Sequence, residues 1–375
     1  MLSMNDMRIE RVEAIPIEMP LPRPFSGSKY TVASRNTIIT RIHVSGGLVS
    51  EVYNGDNREH GREIVKIIET EVTPLLIGED ASAYERIWAR IFPVATWHKA
   101  RGIAMEAIAC VDTAIWDLNG KRLGTSVSKL LGGYRDSLPI IAIGGYYQEG
   151  KTLGDLAKEM DWLRSVGMAG CKVKVGGLAP EKDLERVKAA RDGGGADFII
   201  AVAANRGWNV RDATRFARLI APLNIRWFEA PCRWYDDARG MAEERRATTI
   251  PITAGQSEIS AHGVRRLVDA GAVDLVNFDA SDGGGITEWK RAADLCALHG
   301  VEMAHHEEPQ IAVHMLAAVP HGTYVECFPD TARDPLWPSL VTNRPPLKDG
   351  IIGVPQGPGF DLKLDWDLVK RYRLT

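Results

Sequence analysis

The chain has 375 residues, a formal net charge of −3, 45% apolar residues and 25% charged residues. That length supports a large core and more than one domain, and the balance is that of an ordinary soluble globular protein. Basic residues are scattered, so no face reads as a phosphate-binding stripe, and nucleic acid is not an expected partner.

The N-terminal stretch MLSMNDMRIERVEAI holds no long apolar run and no small-residue cleavage site, so neither a signal peptide nor a membrane span is expected. Arg8–Pro16 and Asn36–Val44 alternate with β-branched residues and predict strands. Between them LPRPFSGSKYTVASR, punctuated by Pro and Gly, predicts a long loop of the kind that forms lids. From about Glu59 to Lys129 the apolar spacing becomes helical. AMEAIACVDTAIWDLNGKRLG closes that region, with Gly124 as its stop. After LLGG (Leu130–Gly133) short apolar runs alternate with amphipathic stretches. The runs are IIAIGGYY, GCKVKVG, DFIIAVAAN, IRWFEAP, IPITAG, VDLVNFD, VEMAHH and TYVECF. This rhythm predicts a parallel sheet with crossover helices, and about eight strands in some 200 residues fit a closed barrel better than an open sheet. No GxGxxG or GxxxxGK[ST] signature supports a nucleotide site. Gly283–Gly285 reads as turn chemistry. The Pro- and Gly-rich tail from about Val341 predicts loop and short strand outside the barrel, returning to the N-terminal region. Cys110, Cys171, Cys232, Cys296 and Cys327 stand singly, as buried hydrophobes in a reducing cytoplasm would.

A parallel barrel gathers its chemistry at the C-terminal ends of its strands. The runs end in Lys172 and Lys174, in Ala203-Ala204-Asn205, in Glu229, in Gln256 with Glu258 beyond it, in Asp279, in His305-His306 and in Glu326. Each alone has a plain structural reading: a solvated lysine pair, a helix cap, a core histidine. Polar residues at six of eight strand ends do not. Period-2 alternation turns both lysines to one face, where like charges depress each other's pKa and suit one to act as a base. Asp279 beside His306 makes an acid–base dyad. Glu307 and Glu308 read as loop carboxylates.

These motifs resemble the enolase superfamily, its mandelate-racemase branch in particular. The segment AIACVDTAIWDLNGKRLGTSVSKLLGG is similar to that family's link between capping domain and barrel. KVK, WFEAP, FDASDGGGITEW and MAHHEEPQIAVHML are similar to its strand motifs, in order, over nearly the whole chain. The resemblance implies an α/β fold: a (β/α)7β modified TIM barrel (residues 134–335) under an N-terminal α+β capping domain (1–133), with a C-terminal segment (336–375) returning to the cap. It implies Lys174 as base on one substrate face, with Lys172 as its electrostatic partner. It places His306 on the other face, oriented by Asp279, and Glu326 on the substrate carboxylate. Pro20–Arg35 resembles the specificity loop, so Lys29, Tyr30 and Arg35, with Asn205, are candidate substrate contacts. A cytoplasmic homo-oligomer acting on a small hydroxy-carboxylate follows by the same analogy.

The departure lies at the metal. The family holds Mg²⁺ with carboxylates on three successive strands. Here Ala203 stands where an aspartate is usual, Glu229 is present, and Gln256 replaces a glutamate. An amide oxygen can ligate Mg²⁺ but brings no charge. Asn205 or Glu258 are the candidates to compensate. Three accounts stay open: a disabling substitution, a variant that holds metal through other groups or the substrate, and a non-catalytic sugar-acid binder. For the reaction, abstraction of the proton α to a carboxylate leads first to dehydration of a sugar acid to a 2-keto-3-deoxy acid. Racemisation or epimerisation is second, and cycloisomerisation third.

Overall fold

A computed structural model describes residues 7–55 and 59–374. The leader expectation falls partly on residues 1–6, outside the described residues. Among the described residues no helix is long and apolar enough to cross a membrane.

Strands β1 (Ile9–Ser26) and β2 (Thr31–Val44) form one long antiparallel hairpin, and β3 (Val52–Asn54) pairs with β2. The long loop expected between two short strands is therefore a correction: pairing runs to Pro20↔Ser34, slips, and resumes at Phe25↔Val32. Pro20, Pro22 and Pro24 have no N–H to give the ladder, so the extra residues bulge out there. Phe25 and Val32 then bury against Tyr146 and Phe328 and carry the hairpin tip onto the barrel mouth.

The helix Arg101–Leu123 is buried almost all round, from Ala104 to Gly120, because it packs against the cap on one side and the barrel on the other. It ends on Gly124 in the left-handed conformation. Asp112 accepts bonds from the Thr287 amide (2.9 Å) and hydroxyl (2.7 Å), and burial pushes its carboxyl up to about 7. A Cβ on Gly285 would lie 2.3 Å from that carboxylate, so the glycine run serves close approach between cap helix and barrel.

Eight parallel strands follow: β4 (Ser137–Gly144), β5 (Gly170–Lys174), β6 (Ile199–Ala203), β7 (Ile225–Glu229), β8 (Ile252–Ala254), β9 (Leu275–Asn277), β10 (Glu302–Ala304) and β11 (Val325–Cys327). Each pairs with the next from β4 to β10, and β11 pairs with β4. Met303 bonds His321 and Thr323 just before β11, which closes the ring. A helix covers each of the seven crossovers, giving (β/α)7β. Ile141, Ala201, Trp227, Leu275 and Ala304 fill the barrel interior. Lys174, Ala203, Glu229 and Thr253 share one register across β5 to β8.

The tail does not stay off the barrel. After β12 (Leu347–Lys348), β13 (Ile351–Gly353) pairs antiparallel with the start of β4. The chain then meets β1, where the Leu374 amide bonds Pro16.

Candidate active site

Strand β5 turns Lys172 and Lys174 into the barrel, where both are at most 1% exposed. Lys172 Nζ lies 3.0 Å from Glu229 Oε1, 2.6 Å from Glu326 Oε1 and 2.7 Å from Oε2. Burial works against its charge, but the two carboxylates outweigh it and hold the ammonium's pKa above the ordinary value. The expected mutual depression of the two lysines is thus overturned for Lys172: a like charge beside it counts for less than two opposite charges in contact. Lys174 is held differently. Its Nζ sits 5.6 Å from the centre of the Tyr146 ring, and among the described residues it has no ion-pair partner.

On the other side of the barrel His306 Nδ1 lies 3.1 Å from Asp279 Oδ2, and its Nε2 lies 3.6 Å from Glu307 Oε1. Burial would lower this imidazole's pKa, but the Glu307 charge and the Asp279 hydrogen bond raise it overall. His305 is structural: Nε2 accepts from the Ala280 amide (2.9 Å), and Nδ1 reaches the Glu307 carbonyl (3.2 Å). It thereby braces the turn in which Glu307 (φ 54°) and Glu308 (φ 50°) both take left-handed backbone. That turn separates two carboxylates that looked alike. Glu307 enters the site and pairs with Arg35, while Glu308 leaves it, bonding the Ser281 hydroxyl and the Gly55 amide of the cap. Asp279, His305 and Glu308 place ligand atoms within 4.8 Å of one another. Those atoms already serve the bonds above and the Ser281 amide on Asp279 Oδ1, so the trio is a brace between strands.

The ends of β6, β7 and β8 are in a contrasting state. Ala203 is fully buried, level with Lys174 and Glu229, and offers only a methyl group. Around it Asn205 Oδ1, Glu229 Oε2 and Gln256 Oε1 are buried acceptors with no hydrogen-bond partner. Three oxygens without donors, on three adjacent strand ends, fit a hard divalent cation. Asn205 takes left-handed backbone (φ 45°), which asparagine tolerates. Glu229 stays ionised despite burial, held low by Lys172, Lys174 and His306. Glu326 is raised, first by burial and then by the Glu229 charge. Glu258 bonds Arg266 at 2.9 Å, on the helix side of its strand, so it does not join this group.

The cap supplies the remaining wall. Arg35 is 1% exposed, 2.7 Å from Glu307 Oε2, 3.8 Å from Asp334, and 4.7 Å over the Phe328 ring. Tyr30 packs against the aromatic cluster of Phe25, Tyr146 and Phe328. Lys29 is exposed at the tip. The tip itself is pinned by the Ser28 hydroxyl, which donates to the Ala204 carbonyl at 2.8 Å. Sequence reasoning missed Ser28, Tyr146 and Asp334. The doubled tyrosine ending the first barrel run was the signal for Tyr146. Nothing local marks the other two.

A capped (β/α)7β barrel is the enolase-superfamily fold, and a Lys-x-Lys strand facing a His–Asp pair is the arrangement expected of its mandelate-racemase branch. Residues 11–132 match the mandelate racemase / muconate lactonizing enzyme N-terminal domain, and residues 155–368 match the enolase C-terminal domain-like family. The chain belongs to the mandelate racemase / muconate lactonizing enzyme family. It is 31% identical to a 3,6-anhydro-alpha-L-galactonate cycloisomerase of Streptomyces coelicolor, over 97% of this chain and 99% of that one. It is 30% identical to the L-talarate/galactarate dehydratase of Salmonella typhimurium, over 86% and 81%. Among solved structures, a family member from a marine actinobacterium in complex with magnesium is 44% identical and superposes with a TM-score of 0.92, covering 98% of this chain and 99% of that one.

Proposed function

We propose that this chain dehydrates a sugar acid to a 2-keto-3-deoxy acid. The observation that carries the reading is the opposition of two differently held bases. His306 sits between two carboxylates, which favours imidazolium, while Lys174 faces the same space with no carboxylate on it. Such a pair suits removal of a proton on one side and donation of a proton on the other.

The steps follow from those positions. Substrate enters with its carboxylate toward Lys172 and Glu326. Lys174 takes the α-proton, and the C–H electron pair moves into the carboxylate as an enediolate. Lys172 neutralises the new charge, and Glu326, paired with it, holds that ammonium in place. His306 then protonates the departing β-hydroxyl, the C–O bond breaks, water leaves, and the enol ketonises. Arg35 and Tyr30 line the end where the rest of the sugar chain lies. Asn205, Glu229 and Gln256 would hold a magnesium ion, which supplies Lewis-acid neutralisation of the same developing charge. The Salmonella typhimurium dehydratase and the magnesium-bound relative support this reading.

The Streptomyces coelicolor relative favours a second reading, cycloisomerisation, in which the same acid serves a ring oxygen. A panel of aldonates, aldarates and their lactones with Mg²⁺ separates the two. Dehydration yields a 2-keto acid detectable as its semicarbazone. Lactone consumption with no keto acid from any open-chain acid would overturn our first choice.

A further inference from the structure

The donor set at β6 to β8 differs from a full carboxylate set in charge, not in the number of oxygens. Glu229 is the one anion; Asn205 and Gln256 contribute neutral amide oxygens. Lys172 already shares Glu229, and Lys174 lies level with Ala203 one strand away. Lys172 by itself cancels the charge of Glu229, so this donor set has no net negative charge to attract a free dication. Affinity for hard cations follows the charge of the ligands offered. A hydroxy acid brings the missing anion to the place where Ala203 brings none.

The geometry points to a metal site that is completed by the substrate: the divalent cation and the hydroxy acid bind this chain as one chelate, held by Asn205, Glu229 and Gln256, and neither binds well without the other. This deepens the reading of a metal-assisted sugar-acid enzyme and rests on it. Linkage makes the coupling reciprocal: the acid tightens the metal by the same factor as the metal tightens the acid. Ordinary couplings span roughly 5- to 150-fold, and a charge-completing ligand belongs in the upper part of that range, about 30-fold or more.

The test is a binding measurement with no turnover. Mn²⁺ binding to the intact chain is followed by loss of the free-ion EPR signal, with and without tartronate. Tartronate is a 2-hydroxy acid with no β-hydroxyl to lose, and the Mn²⁺–tartronate formed in buffer is subtracted. The expected result is weak binding of Mn²⁺ alone, tightened about 30-fold by tartronate, with the reciprocal gain for tartronate seen by calorimetry. In Ala203→Asp/Gln256→Glu, Mn²⁺ alone should bind tightly and the coupling should shrink. Gln256→Leu should abolish the coupled binding while keeping the native melting transition. If that variant does not fold, Asn205→Ala takes its place. Mn²⁺ binding of equal strength with and without tartronate overturns the proposal. So does tartronate binding that ignores Mn²⁺. Coupled binding without turnover of any sugar acid sinks the dehydratase reading and leaves the chelate standing. Turnover with no coupling does the reverse.

Discussion

The two halves of the barrel mouth are built on opposite principles. In the half formed by β5, β9, β10 and β11, the charged groups other than Lys174 are tied down: Lys172 by two carboxylates, His306 by Asp279, Arg35 by Glu307, Glu308 by the cap. In the half formed by β6, β7 and β8, four buried oxygens have no hydrogen-bond partner: Asn205 Oδ1, Glu229 Oε2, Thr253 Oγ1 and Gln256 Oε1. On the function proposed above, the first half is the one arranged for proton transfer. The second half is unsatisfied until something binds. Buried acceptors without donors are costly in a finished structure, so a group of oxygens on adjacent strand ends marks where a ligand belongs.

Removing a proton carrier should break the first half most severely. Lys174→Ala and His306→Asn should each lower kcat about 10²- to 10⁴-fold, the usual worth of a general acid or base, with little change in melting temperature. Retained activity in either would mean that the opposition of the two residues is not the catalytic axis. Next in size is Lys172→Met. It leaves Glu229 and Glu326 buried without their cation, and breaking such a pair costs about 3–5 kcal/mol. Urea denaturation reads this directly, and an unchanged midpoint would mean the clamp is slack in solution.

How much of this contrast the sequence displayed depends on distance along the chain. Lys172, Lys174, Glu229, Asp279, His306 and Glu326 were legible because a parallel barrel sends every strand end to one place, whatever lies between. Ala203 and Gln256 were legible as departures for the same reason. The prolines of the hairpin misled, because Pro-rich segments read as loops until a partner strand shows that the ladder can skip over them. The direction of the Lys172 shift was also out of reach: local spacing showed only its lysine neighbour, whereas Glu229 and Glu326 arrive from 57 and 154 residues away. Glu307 and Glu308 could not be told apart, since their divergence comes from two consecutive left-handed residues that no propensity favours.

Glu307 sharpens the comparison further, because it tunes His306 without being fixed to it. Burial works to discharge His306, and Glu307 and Asp279 reverse that effect. A raised pKa means that the proton-donating form persists to higher pH and is lost as pH climbs through the folded value. Glu307→Gln removes one of the two anions, so the alkaline limb of the kcat profile should move to lower pH, by about one unit if the lost interaction is worth about 1.4 kcal/mol. The same change in KM alone, with the limb unmoved, would make Glu307 a substrate contact and not a tuner of the acid. Movement to higher pH would contradict the electrostatic account outright.

The smallest effect tests the boundary of the second half. Glu258 lies two residues beyond Gln256 and has the right chemistry for a metal, yet Arg266 holds it on the helix side. Its carboxyl is raised by burial, which also disfavours it as a ligand, since the ionised form is what a cation needs. Glu258→Gln should therefore leave Mn²⁺ binding, with or without tartronate, within about twofold of the parent, and shift stability by no more than about 0.5 kcal/mol. A tenfold loss of metal affinity would redraw the donor set, and would mean that the loop after β8 reorganises when the cation arrives, with Glu258 leaving Arg266 for the metal.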